Sequence, residues 1–260
     1  MNSSILITSY NKGAYIEQCI LSCINQDFSK GTEIVILDNC SDDNSDRIFN
    51  KYKNKIKLFK KERISNYPAL NQIDLIKEGL SISTGNIIFL LDGDDYLLKN
   101  KVSEVSNLFK KNADLEVIFD VALKNINNEF SQFKIRKKIS KDIWPTIINT
   151  SSISLKRKFL IDTLEHTFIN NYNLLEIDFR INVYSRNIKK NFTIIKEPYT
   201  VYRQLENSIM GNIKKYSKTW WQKRKQAHTF MKNIYSNNTM EYKNKLDFLL
   251  TSFINKILKF

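Results

Sequence analysis

This chain is poor in the residues from which several large classes of binding site are built. Three cysteines and two histidines, at Cys19, Cys23, Cys40, His166 and His228, offer no zinc-ligand spacing. Cys19 and Cys23 stand one helical turn apart, in register with Ile16, Ile20 and Ile24, so both are expected in a core. The six glycines form neither GxGxxG after the first predicted strand nor GxxxxGK[ST] anywhere. That argues against a dinucleotide-dependent enzyme and a P-loop NTPase. No apolar run reaches the length of a membrane span. The start, MNSSILITSYN, lacks a basic segment followed by an apolar one. The expectation is a cytoplasmic chain, free or peripheral on the inner face of a membrane.

Positive charge is what the chain has in excess. Lys and Arg number 41 against 27 Asp and Glu, a net charge of +14, which suggests an anionic partner: phosphates, nucleic acid or an acidic membrane surface. Residues 214–260 hold eleven of the cations and only two acids, Glu241 and Asp247, and so most of the excess. At 42% hydrophobic residues over 260 positions, the chain can hold one large α/β domain or a domain with an appendage.

Asn86–Leu98, NIIFLLDGDDYLL, organises the rest. Ile87–Leu91 is a continuous apolar run, as expected of a strand buried on both faces. It ends in Asp92, Gly93, Asp94 and Asp95, three carboxylates in four positions. Such crowding is costly beside a core unless a cation or hydrogen-bond donors sit among the acids. Hard oxygen ligands at the end of a buried strand suit Mg²⁺ or Mn²⁺ carrying a substrate's phosphates. Gly93 would let the backbone turn and approach the ligand closely. The plainer reading is a solvated acidic turn.

Earlier in the chain, Ile5–Thr8 and Glu33–Leu37 are further apolar strands, closing in Ser9–Gly13 and Asp38–Asp43. Helical periodicity covers Tyr15–Asp27; a second helix runs to about Tyr52, with Ser41 or Asp42 as its candidate cap. Lys57–Lys60 is a weak strand, and Pro68 opens a helix through Leu80. After Asp95 come a helix over Val102–Phe109 and a strand over Leu115–Ala122. Alternation of this kind predicts a doubly wound, mostly parallel sheet with ligands outside the carboxyl ends of its strands. Three polar clusters would then meet on one edge: a nucleotide would lie across the first two, its diphosphate and metal at Asp92–Asp95. Asn125–Lys141 reads as a polar, basic loop. Trp144–Leu155 reads either as the floor of an acceptor pocket or as an ordinary buried strand with a turn. Leu174–Tyr184 reads as a helix with Glu176 and Asp178 near its start. Ile194–Tyr202 reads as one edge strand interrupted by Pro198.

With these segments in view, the chain resembles a family 2 glycosyltransferase of the GT-A fold, a Rossmann-like, mostly parallel sheet flanked by helices. The resembling pieces are ILITSYNKGAYIEQCILSCINQDF, EIVILDNCSDDNSDRI, STGNIIFLLDGDDYL, IDFR and EPYTVYRQLENSI, in order over about residues 1–210. The resemblance implies an inverting, metal-assisted transferase that uses a nucleotide-diphosphate sugar. It implies that Thr8 and Tyr10 hold the nucleoside and that Asp38 and Asn39 contact base or ribose. Asp92 would lie near the ribose and the cation's water shell, and Asp94 would ligate the metal. Asp178 matches the general base, with Glu176 as the alternative because Ile177 stands where an acid usually precedes the base. Asn66 occupies a region where relatives carry an arginine near the phosphates, and Lys77 stands near a familiar asparagine position. The absence of QxxRW argues against a processive polymerase. A glycan or lipid-linked acceptor in capsule- or lipopolysaccharide-like surface polysaccharide synthesis follows from the family alone.

Residues 211–260 are expected to form a basic, aromatic helical extension. Trp220, Trp221 and the stripe Leu246, Leu249, Leu250, Phe253, Ile254 and Ile257 either pack on the catalytic domain, or rest on anionic lipid headgroups, or pair with a second copy. A nucleic-acid-binding protein would explain this tail. It would not explain acids at strand ends. A metal-dependent nucleotidyltransferase would share the acids, but the glycine-rich phosphate loop is missing.

Overall fold

A computed structural model describes residues 2–27, 31–132, 146–167, 172–205, 213–238, 241–242 and 245–258. The far part of the expected 125–141 loop, Trp144, and Glu206–Ile209 of the last resembling segment lie outside these. In chain order the elements are β1 (Ser3–Ser9), α1 (Ile16–Ile24), β2 (Thr32–Asp38), α2 (Ser45–Lys51), β3 (Lys57–Lys60), α3 (Pro68–Ile82), β4 (Ile87–Asp92), β5 (Tyr96–Leu97), α4 (Lys101–Lys111), β6 (Val117–Asp120), β7 (Leu123–Ile126) and β8 (Glu129–Gln132). A 3₁₀ turn, Thr150–Ser152, precedes β9 (Ile153–Lys156), α5 (Arg157–Thr167) and α6 (Ile177–Val183). A π-helical turn, Tyr184–Lys189, continues α6 into β10 (Phe192–Ile195), β11 (Thr200–Arg203), α7 (Lys218–Asn237) and α8 (Lys245–Ile257).

Seven strands form the main sheet in the order β10-β6-β9-β4-β1-β2-β3, parallel except for β9, which runs antiparallel to both β4 and β6. The strands read as unbroken apolar runs because both faces are covered. Leu6, Ile88 and Leu90 enter a core shared with α3, α5, α6 and α7. Their neighbours Ile5, Ile7, Ile87, Phe89 and Leu91 enter the opposite core with α1 and α4. Each such side chain contributes on the order of 2 kcal/mol through removal from water. Cys19 and Cys23 are buried in that second core. Gly85 sits where a Cβ would fall 2.3 Å from the Ser3 backbone, so only glycine lets the chain enter β4 beside β1.

Two local expectations are corrected. α2 begins at Ser45, and the carboxylate that receives its first N–H is that of Asp43, not a side chain of Ser41 or Asp42. Asp43 also accepts from Gly13 N, so it latches the two loops together instead of serving one helix. The single edge strand expected over Ile194–Tyr202 is two strands in two sheets. Pro198 falls in the break between them: β10 ends the main sheet, whereas β11 lies inside a second sheet of order β5-β11-β7-β8. The two sheets are tied by a buried ion pair. Lys101, fully inaccessible, donates to Asp120 Oδ1 (2.8 Å), the Ser151 carbonyl (2.7 Å) and Thr200 Oγ1 (2.7 Å).

Candidate active site

The parallel register of β1, β2 and β4 brings Thr8 opposite Asp92 and Ser9 opposite Asp38, so three polar strand ends share one edge. They open onto a cleft of about 920 Å³. Thr8, Tyr10, Asn39, Asp92, Gly93, Asp94, Glu176 and Asp178 all line it. Asp38 and Asn66 do not. The Asp38 carboxylate is buried and accepts from Ser41 N (2.8 Å) and Ser41 Oγ (2.6 Å), holding the turn in which Cys40 takes a positive φ of 53°. In the region of Asn66 it is Arg63 that reaches the cleft, its guanidinium 4.7 Å from the centre of the Tyr10 ring.

The acids at the end of β4 have separate surroundings. Asp92 Oδ1 accepts from Thr8 Oγ1 (3.0 Å) and Gln72 Nε2 (2.7 Å). Burial, then the charge of Asp94, pushes its carboxyl up to about 6. Asp94 accepts from Lys12 Nζ at 2.5 Å. Burial pulls the Lys12 ammonium down, but Asp94 outweighs it and holds the group above its usual range. Asp95 is buried and faces away: it accepts from Ser151 Oγ (2.5 Å) and Arg203 N (2.8 Å), and burial drives its carboxyl well up. A Cβ on Gly93 would meet Ile16 at 3.1 Å and the Thr8 carbonyl at 3.2 Å. A side chain here would thus press on β1 and on the end of Ile16, and glycine avoids both contacts.

These residues suit a divalent cation. Asp92 and Asp94 offer hard oxygens, and a raised carboxyl is what a neighbouring cation relieves. Among the described residues no group of three His, Cys, Asp or Glu side chains converges on one point. Asp92 and Asp94 are thus the two carboxylates that would hold such a cation.

The opposite wall comes from the later chain. α6 starts with Glu176 as its N-cap, and Asp178 in its first turn turns its carboxylate back onto Phe179 N (2.6 Å). Burial, then the charge of Glu176, raises Asp178 to about 7, while Lys223 opposes the rise. Glu176 is ion-paired with Lys223 of α7 at 2.5 Å. Tyr202 on β11 also lines the cleft, its hydroxyl held above the usual range by burial and by Asp95, Asp92, Asp94 and Asp178. Arg203 bonds the Asp94 carbonyl and Gln18 and stacks on Tyr15 and Tyr96. Asn149 and Thr150 line the cleft, so part of Trp144–Leu155 is cavity wall and part, β9, is buried strand.

The sequence profile described as glycosyl transferase family 2 matches residues 4–175. The chain belongs to that family. It is a glycosyltransferase of the GT-A fold. A glucosyltransferase of Campylobacter jejuni, named for GalNAc(5)-diNAcBac-PP-undecaprenol, is 28% identical over 214 residues, covering 77% of this chain and 65% of that one. The poly(ribitol-phosphate) β-N-acetylglucosaminyltransferase TarS of Staphylococcus aureus is 30% identical over 109 residues, 41% of this chain and 18% of TarS. That match spans less than a fifth of the staphylococcal enzyme. The crystal structure of TarS residues 1–349 in complex with UDP-GlcNAc superposes with a TM-score of 0.67 at 18% identity, covering 97% of this chain and 73% of that one. The likeness is one of fold. No helix among the described residues is long and apolar enough to cross a membrane.

Lys12, Arg63, Tyr202 and Arg203 are among the residues of this transferase's cleft that are absent from the set expected as site residues. Lys12, Tyr202 and Arg203 fall inside segments that carry the family resemblance, which was the signal available for them. Arg63, in a polar stretch without periodicity, gave none.

Proposed function

We propose that this family 2 enzyme transfers a sugar, with inversion, from a nucleotide-diphosphate sugar to a hydroxyl of a glycan or lipid-linked acceptor. The donor is UDP-linked, the acceptor belongs to surface polysaccharide synthesis of the capsule or lipopolysaccharide kind, and the work is done in the cytoplasm or at the inner face of a membrane. Residues 1–210 form the transferase domain and 211–260 its extension. The observation that carries this reading is the pairing, across one cleft, of the acidic end of β4 with the half-buried Asp178 carboxyl, raised to about 7.

Tyr10, stiffened by Arg63, offers a ring face for the base; Thr8, Asn39 and Asp92 offer polar partners for the nucleoside, and Asp38 sets the turn that presents Asn39. Gly93 keeps the backbone close, and Asn66 lies beside the helix start that follows Arg63. Asp94, with Asp92, would hold Mn²⁺ or Mg²⁺, which when bound neutralises the diphosphate leaving group. Lys12 then keeps its positive charge at the same place and can move from Asp94 to a phosphate oxygen. Asp178 accepts the proton of the acceptor hydroxyl as that oxygen attacks the anomeric carbon; a carboxyl near 7 is matched to this task at neutral pH. Glu176 is engaged by Lys223, which favours Asp178 as the base. One in-line displacement inverts the centre.

Calorimetric titration with UDP, GDP, CDP and dTDP, with and without Mn²⁺, tests the donor half. Metal-dependent binding of UDP is expected, weakened about a hundredfold in Asp94→Asn. Equal binding by that variant would remove the metal assignment, and tight binding of another nucleotide would replace the base.

A further inference from the structure

α8 is mounted inside out. Its large apolar side chains face solvent: Leu246 is 84% exposed, Phe253 62%, and Leu249, Leu250 and Ile257 between 55% and 61%. At about 100° per residue these five occupy an arc of roughly 100°. The opposite arc, turned towards α7, is mostly polar. Thr251 and Asn255 are the buried residues of the helix, with Phe248 alone packed against the core from the same side. Asn255 Nδ2 donates to the Trp221 carbonyl (3.1 Å) and to the Thr251 carbonyl (2.7 Å), and Asp247 pairs with Arg224. The orientation is therefore fixed by specific polar contacts.

A stripe of this size costs free energy in water and marks an interaction surface. Its surroundings specify the partner. Lys245 and Lys256 border one side of the stripe by helical position, and the segment 214–260 carries eleven cations against two acids. Where α8 meets Trp221, Tyr216, Trp220 and Trp221 form a ring cluster, with Tyr216 63% exposed and Lys215 over its ring. Apolar stripe, flanking lysines and adjacent Trp and Tyr form the pattern that lies in the headgroup region of an anionic bilayer. A second copy would meet the same positive charge and be repelled.

We infer that α8 and the aromatic cluster at the start of α7 dock this transferase on an anionic membrane, the apolar stripe entering the headgroup region. The inference gives the membrane-facing part of the proposed function a defined surface, but stands on observations outside the catalytic cleft.

The experiment is sedimentation of the full chain with phosphatidylcholine vesicles, with and without phosphatidylglycerol. Binding is expected only with phosphatidylglycerol, and to fall with salt. Leu249→Glu with Phe253→Glu is expected to weaken it about a hundredfold or more. Lys215→Ala and Lys256→Ala are each expected to weaken it about fivefold. All four side chains project from the surface, so thermal unfolding and UDP binding are expected to stay unchanged. No vesicle binding, binding indifferent to Leu249→Glu with Phe253→Glu, or a dimer abolished by that pair would each overturn the inference. Vesicle binding without nucleotide binding would instead fault the donor site alone.

Discussion

The two walls of the cleft are built on different terms. The wall proposed to hold the donor, the donor wall, rests on β1, β2 and β4, adjacent parallel strands in full register, with loops latched by Asn11–Asp42 and Gly13–Asp43 contacts. The wall proposed to face the acceptor, the acceptor wall, is assembled from a 3₁₀ turn, the start of α6, β11 in the second sheet and Lys223 of α7. One side follows from strand order alone. The other needs long-range contacts, such as the Lys101–Asp120–Thr200 network beneath Ser151, to hold pieces up to 99 residues apart. Regular sheet geometry suits a constant ligand, whereas a wall of turns and helix ends can vary without disturbing the sheet.

That contrast predicts separable failures. The largest effect is expected on the acceptor wall: Asp178→Asn should lower kcat by about a thousandfold and leave nucleotide binding intact. Retained activity would transfer the base role to Glu176. The same variant should be more stable. A carboxyl raised to about 7 binds its proton more tightly folded than unfolded. Its stabilisation is thus complete below about pH 4 and lost as pH rises through 7. At pH 8, Asp178→Asn should be more stable by about 1–3 kcal/mol and so unfold at a higher temperature, with little gain at pH 4. Destabilisation at pH 8 would refute the burial account.

A smaller effect is expected from α7. Lys223→Met removes the cation that opposes the rise of Asp178, so the acid limb of the pH–rate profile should move up by about half to one unit. Lys223→Arg should restore it; an unmoved limb would make the Lys223–Glu176 pair purely structural. The smallest is on the donor wall: Arg63→Ala should weaken nucleotide binding about three- to tenfold at unchanged kcat, as a stacked cation on Tyr10 implies.

The difference between the walls also explains what could be read in advance. Apolar runs ending in Thr8, Asp38 and Asp92 announce parallel strands, and periodicity announces α1, α3 and α4. Nothing in Ile153–Lys156 tells that β9 inserts antiparallel between β4 and β6, because a strand buried on both faces has the same composition in either direction. Pro198 signals an interruption but not a change of sheet. Lys12, Lys101 and Lys223 are ordinary lysines in the sequence; only the fold shows that each faces a specific carboxylate. The apolar stripe of α8 is legible as periodicity, yet periodicity does not say which way a stripe faces. Here Asn255 and Asp247 decide it.

The family profile ends at residue 175, one position before Glu176 and three before Asp178. Likeness to relatives does not stop there: the match to the Campylobacter jejuni glucosyltransferase runs over 214 residues, more than the profile covers. The same stretch after residue 175 carries Glu176, Asp178, Lys223 and α8, so the base, its ion-paired neighbour and the attachment surface proposed above would change together if that stretch were exchanged.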